Sequence, residues 1–231
     1  MCGATLVVMA RRSYRQYCSI ARTLDVVGER WTLLVVRELL TGPKRFKDFE
    51  DALHGIGTGL LSARLRFLED EGLIRSAVLP PPARTPVYEL TEAGRDLEPV
   101  VLALARWGMS WAADRKRRDE TFRPGWAVLA LQAIFDAEAA ADVVATYEFD
   151  IDGEVFHVGV ERGTIAARYG PAPRSDVRIT LGRAGFLDLV GGASTLRQAV
   201  RAGNAAVDGD RAAAGKLATL FRWPKAGART S

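Results

Sequence analysis

The sequence is poor in the residues from which catalytic and metal centres are usually built. It has two histidines and two cysteines in 231 residues. His54 and His157 each lie away from any cysteine or carboxylate cluster at ligand spacing, so no structural zinc or catalytic metal is expected. Cys2 and Cys18 are too few for a disulfide framework, which points to a reducing compartment. There is no G-x-S-x-G elbow and no G-K-[ST] phosphate loop. The run Gly55-x-Gly57-x-Gly59 follows a helical stretch and not a strand, so it is not a nucleotide loop. These gaps lead us to expect no enzyme, no cofactor and no metal.

Long apolar runs are also missing. Nothing approaches a membrane span, so no membrane partner is expected. Met1–Ala10 is mildly apolar, but its charges, Arg11 and Arg12, follow it, which is the wrong order for a signal peptide. A cytoplasmic, nucleoid-associated location is expected. Met9 is a second candidate start, with the residues before it a tail. Lysine is scarce as well: nearly all of the 32 basic residues are arginine. The net charge of +4 is uneven. Residues 1–118 carry 19 Lys/Arg against 14 Asp/Glu, and the remainder 13 against 14. A basic first half suits a polyanionic partner.

In that basic half, 44–90 has the order of a short amphipathic helix, a glycine-rich turn, a second helix and two short strands around a proline-rich tip. This is a helix-turn-helix followed by a wing. In the second helix Leu61, Leu65 and Leu68 recur at helical spacing and form a buried stripe. Gly59, Ser62, Ala63 and Arg66 fall on the opposite side, small enough for close approach to a major groove and bearing one long cation. Thr58 is read as the N-cap and Gly72 as the stop. Lys44 and Arg45 sit at the N-terminus of the first helix, where phosphate is favoured by charge and free amides. Arg84, on the proline-stiffened tip, either lies along a phosphate backbone or minor groove or is a solvated loop charge. Trp31 is read as a core anchor. Cys18 opens a helix at 19–27, with Ser19 read as its cap. Cys18 is either a thiol activated by free amides or a small buried residue.

These residues resemble the HxlR family of bacterial transcription regulators. The matching stretches are C-S-I-A-R-T-L-D-V-V-G-E-R-W-T-L-L-V-V-R-E-L-L, G-P-K-R-F-K-D-F, G-I-G-T-G-L-L-S-A-R-L-R-F-L-E-D-E-G-L-I and V-Y-E-L-T-E-A-G. The resemblance implies a winged-helix dimer with the second helix in the major groove and the wing beside it. It also implies that Thr58, Ser62, Arg64, Arg66 and Arg84 meet DNA, and that the cysteine matching Cys18 is a redox-sensing candidate. Ser19 stands where the family often has proline, and Gly59 where a polar residue is expected.

Beyond the wing, Thr91 caps a short helix, and Pro99 starts a longer one. Val101, Leu104, Gly108 and Trp111 make one stripe of that helix, widened by Val100, Ala103 and Trp107. A band this broad predicts a homodimer contact; the alternative is that the second domain covers it. Asp114–Glu120 is a charged connector. A helix follows over 125–141, and then the pattern switches to period two. Tyr147, Phe149 and Ile151 face Phe156, Val158 and Val160 across Asp152-Gly153, a hairpin signal. Ile165, Ala167 and Tyr169 form a third strand, and Val177, Ile179 and Leu181 a fourth. Helices are expected near 183–190, 194–202 and 210–221, stopped by Gly191-Gly192 and Gly203, with 206–209 a short edge strand. Strands followed by helices imply a sheet with one covered face. This order, with A-V-D-G-D-R-A-A-A-G-K-L-A-T-L-F, is similar to the sterol carrier protein 2-like fold, which implies an apolar tunnel.

The expectation is therefore an α+β chain with a flexible arm (1–13), a winged helix-turn-helix domain (14–118) and a C-terminal α/β sandwich (119–231). It would bind double-stranded DNA at a pseudo-palindromic site as a homodimer, most simply as a repressor, with a small hydrophobic effector. The alternative is a hydrophobic-ligand carrier whose winged part docks on protein.

Overall fold

A computed structural model describes residues 13–112, 121, 123–190 and 193–222, which fall into two units, Met1–Glu98 and Pro99–Ser231. The arm through Arg12, the connector Asp114–Glu120 and the Gly191-Gly192 stop lie outside the described residues.

The first unit contains α1 (Ser19–Val27), α2 (Thr32–Leu40), α3 (Phe46–Ala52), α4 (Thr58–Asp70), β1 (Ile74–Val78), β2 (Pro86–Leu90) and α5 (Glu92–Arg95). Gly28 closes α1, as its position in the apolar run indicates. The core is the stripe the spacing selects, Val35, Val36 and Leu39 of α2, Phe49 of α3 and Leu61, Leu65 and Leu68 of α4. Trp31 departs from expectation. It adopts φ +80° ahead of α2, is only half-buried and lies 5.0 Å from the Arg30 guanidinium. It stands in the short turn between α1 and α2, ahead of the helix whose inward face forms the core. β1 and β2 pair antiparallel from Ile74↔Leu90 to Val78↔Pro86. Lys44 forms an isolated bridge to β2, with its N–H donating to the Tyr88 carbonyl at 3.0 Å and the reverse bond at 2.8 Å. Thr91 caps α5 by accepting from the Gly94 N–H. A Cβ on Gly94 would lie 2.0 Å from the Leu73 carbonyl oxygen, so only glycine fits there.

The second unit begins with α6 (Glu98–Ala112) and α7 (Pro124–Ile134). It continues through β3 (Val144–Ile151), β4 (Glu154–Glu161), β5 (Thr164–Tyr169), β6 (Val177–Leu181), α8 (Arg183–Val190), α9 (Leu196–Arg201), β7 (Ala205–Gly209) and α10 (Arg211–Leu220). The sheet order is β5-β4-β3-β6-β7, with β3 and β6 parallel and every other pair antiparallel. Asp152 and Gly153 both take positive φ, the geometry of a two-residue hairpin turn. Helix α7 ends at Ile134, short of the expected 141. Phe135 turns extended and bridges to Phe221, and the Arg222 guanidinium grips Asp136 at 2.6 Å. Tertiary pairing there outweighs the helix preference of the alanines.

One face of the sheet carries Tyr147, Phe149, Ile151, Phe156, Val158 and Ile179 into a core shared with Leu131, Phe186, Leu217 and Leu220. Phe149 and Phe156 stack at 5.0 Å, and Phe186 meets Phe156 edge-on. The Tyr147 hydroxyl donates to the Ala213 carbonyl at 3.1 Å, and burial pushes its pKa to about 12. The other face is polar. Cross-strand neighbours run Arg168, His157, Glu148, Arg178, Asp208 from edge to edge.

Candidate nucleic-acid interface

Helix α4 is the element that could enter a groove. Its buried side is Leu61, Arg64, Leu65 and Leu68. Thr58, Gly59 and Arg66 are exposed, and Ser62 is half-buried beside them. Nothing lies within 4 Å of a Cβ built on Gly59, so that surface is open to close approach. Three of the expected residues are thus solvent-exposed on one helix, with Ser62 partly so.

Arg64 does not join them. It retains 7% of its surface, its guanidinium lies 3.6 Å from the Glu29 carboxylate and 5.8 Å from the Phe67 ring, and its Nε has no hydrogen-bond partner. The cause is its spacing, one turn from Leu61 and Leu68 on the inward stripe. Thr58 is not the cap either. Gly57 holds the N-cap position, and the Thr58 hydroxyl donates to Glu50 on α3 at 3.0 Å.

At the start of α3, Arg45 is exposed, and its N–H donates to the Asp48 carboxylate at 2.7 Å. Lys44 is half-buried by its pairing with Tyr88; desolvation draws its pKa down, against the pull of Glu38 and Asp48. Its backbone is held in that bridge to Tyr88 and its side chain is half-buried, which reduces its reach toward phosphate. Lys47, which the sequence reading passed over, is also exposed in this run, 3.1 Å from Asp51. The signal was in K-R-F-K, where the helix turns the third cation outward.

The wing is tied to α4. Glu69, near the end of α4, accepts from both the N–H (3.0 Å) and the hydroxyl (2.7 Å) of Ser76 on β1. Arg75 and Glu89 brace the hairpin from strand to strand at 2.6 Å. Leu79 donates to the Thr85 carbonyl, closing the proline tip. Arg84 stands exposed at that tip with φ +39°.

Cys18 is a free, exposed thiol at the N-cap position of α1, and Ser19 is the first helical residue instead of the cap. This removes the reading of Cys18 as a small buried residue. Tyr17 beside it stacks under the Arg22 guanidinium at 4.7 Å.

In the second unit, α6 exposes Val100, Leu104 (47%), Trp107 (60%) and Trp111. The two tryptophans stack at 5.1 Å, and Gly108 is half-buried. Val101 is buried and leaves this band. Spacing accounts for it: 100, 104, 107 and 111 share one helical face, and 101 lies about 100° round from its leading residue. Met109 packs on the sheet core. Among the described residues no group of His, Cys, Asp and Glu could hold a metal ion, and no helix is long and apolar enough to cross a membrane.

Comparison with known proteins matches two separate stretches of the chain. A family model described as HxlR-like helix-turn-helix matches residues 26–116, and one described as alkyl sulfatase C-terminal matches residues 128–226. An uncharacterized HTH-type transcriptional regulator of Synechocystis is 38% identical over 94 residues, covering 41% of this chain and 70% of the relative. The HTH-type regulator YvaP of Bacillus subtilis is 37% identical over 93 residues, covering 39% and 83%. The solved reduced form of the regulator YodB from B. subtilis is 28% identical with a TM-score of 0.37, covering 44% of this chain and all of that one.

Proposed function

The chain belongs to the HxlR-like helix-turn-helix family of DNA-binding transcriptional regulators, and from that premise we propose that it represses transcription by binding a pseudo-palindromic operator as a homodimer. The observation that carries this reading is the exposed side of α4, where Thr58, Gly59, Ser62 and Arg66 present a small, hydrogen-bonding surface with one long cation. Gly59 lets the backbone approach a base edge, Ser62 offers a hydroxyl, and Arg66 reaches a guanine or a phosphate. Arg84 on the wing, with Arg45 at the N-cap of α3 and Lys47 in its first turn, meets phosphate and sets the register. The exposed apolar band of α6 is where a second copy of the chain packs. A twofold pair sets its reading helices about one DNA turn apart, ~34 Å.

The second unit acts as the sensor in this reading. Its element order and its single covered sheet face support a sterol carrier protein 2-like sandwich. A small hydrophobic effector would enter between sheet and helices, where Phe149, Phe156 and Phe186 now pack. It would regulate only by binding one arrangement of the dimer better than the other. The protein acts in the cytoplasm, at the nucleoid, and not as an enzyme. Selection of duplexes from a random pool at physiological salt tests the DNA reading. Enrichment of an inverted repeat supports it, and retention no better than for scrambled competitor contradicts it. Mass spectrometry of the natively purified chain tests the effector: a co-purifying apolar molecule supports the sensor, and its absence from every preparation removes it.

A further inference from the structure

Arg64 is a cation on the buried side of the reading helix. It retains 7% of its surface, and its Nε is unpartnered. Its ionic partner is Glu29, in the turn between α1 and α2, at 3.6 Å. A buried, half-satisfied charge is a poor stabiliser, since an apolar side chain of similar volume often does as well or better. Its neighbours on the same stripe, Leu61, Leu65 and Leu68, show what packing alone selects.

The remaining polar ties of α4 lie at its ends: the Thr58 hydroxyl on Glu50 and the Glu69 carboxylate on Ser76. Those ties hold the ends against α3 and β1, and the buried leucine stripe packs the middle of the helix into the core. Rotation decides how far Ser62 and Arg66 face outward, because they sit on the same helix as Arg64 at fixed angles to it. The Arg64–Glu29 ion pair adds a tie from mid-helix to a different element.

We propose that Arg64 and Glu29 are positioning residues for DNA reading: the ion pair between the buried Arg64 guanidinium and the exposed Glu29 carboxylate sets the rotation of α4 and couples it to the end of α1. Arg64 touches no DNA in this account. The inference rests on the DNA-binding reading above.

The test uses the full chain with a 30-base-pair duplex selected by the wild type from a random pool. Three variants are compared: Arg64→Met, which keeps the volume without the charge; Arg64→Lys, which keeps the charge without the fork; and Glu29→Gln. Melting temperature and circular dichroism establish that each is folded. Affinity, discrimination against scrambled duplex and the salt dependence of binding are then measured. Arg64→Met and Glu29→Gln should each lose about tenfold in discrimination, the scale of coupling between contacting groups. The double variant should be no worse than either single one. The salt slope should be unchanged, because no phosphate contact is lost. Arg64→Lys should restore part of the discrimination.

A lower salt slope in Arg64→Met with Glu29→Gln behaving as wild type would make Arg64 a direct contact and overturn the proposal. Lower melting temperatures with full discrimination would reduce the pair to a structural role. Failure of the wild type itself to select any duplex would sink the DNA reading, a separate result. If Arg64→Met does not fold, Glu29→Gln and Arg64→Lys decide alone: full discrimination in both overturns the proposal.

Discussion

Arg64 and Arg66 stand two positions apart on one helix and meet opposite fates. At about 100° per residue they are separated by more than half a turn, so one is carried inward with the leucines and the other outward. Arg66→Ala should therefore weaken operator binding by about 1–3 kcal/mol and relax preference at one base position, as read by gel shift against single-base variants of the selected duplex. Unchanged preference would show that Arg66 reads no base. Arg84, exposed on the wing tip, has a different signature. Arg84→Ala should weaken binding to all duplexes alike and lower the slope of log affinity against log salt by about one. An unchanged slope would take the wing off the phosphates. The outward residues were legible in the sequence because a leucine stripe defines its own opposite face. Arg64 was not, because it is one turn from Leu61 and Leu68 yet carries a charge, and charge suggests solvent. Glu29, its partner, is far away in sequence, and no local pattern announces such a pairing.

At the scale of elements, the strands and hairpins followed from period-two alternation and positive-φ turn pairs, which are local signals. What stayed hidden depended on contacts from distant segments: the early end of α7, set by Phe221 and Arg222, and the strand-like pairing of Lys44 with Tyr88. The polar face of the second unit holds a further case. Glu148 is 1% exposed on what would otherwise be a solvated face, because the segment joining β5 to β6 crosses over it. Its carboxylate accepts from the Ala172 N–H at 2.8 Å and from the Arg178 Nε at 2.8 Å, while the His157 Nδ1 meets the Gly170 oxygen at 2.9 Å. Burial pushes the Glu148 carboxyl up, but the Ala172 N–H and Arg178 outweigh it and hold it below its ordinary 4.5. A depressed carboxyl adds stability that is present above the unfolded value and is lost as pH falls through the folded one. Glu148→Gln should thus cost about 1–2 kcal/mol at neutral pH and shrink the difference between neutral and acid stability below pH 4.5. Denaturant melts at both pH values check this, and an equal acid loss in the variant would show that Glu148 does not hold the crossover.

For the whole molecule, the proposed function depends on two copies acting together. The apolar band of α6 supports that, since tryptophans and a leucine half-exposed on one helical face are costly to leave in water. Replacing Leu104 and Trp107 together by glutamate should leave a folded chain that sediments as a monomer and loses most of its retention on the selected duplex. A dimer that survives the change would move the contact elsewhere. The central claim is paired reading by two α4 helices, and footprinting the wild-type chain on its selected duplex at physiological salt tests it most directly. Two protected major-groove tracts should appear, with centres about one helical turn apart, ~34 Å. A single tract, or protection no different from that on scrambled duplex, would contradict the account.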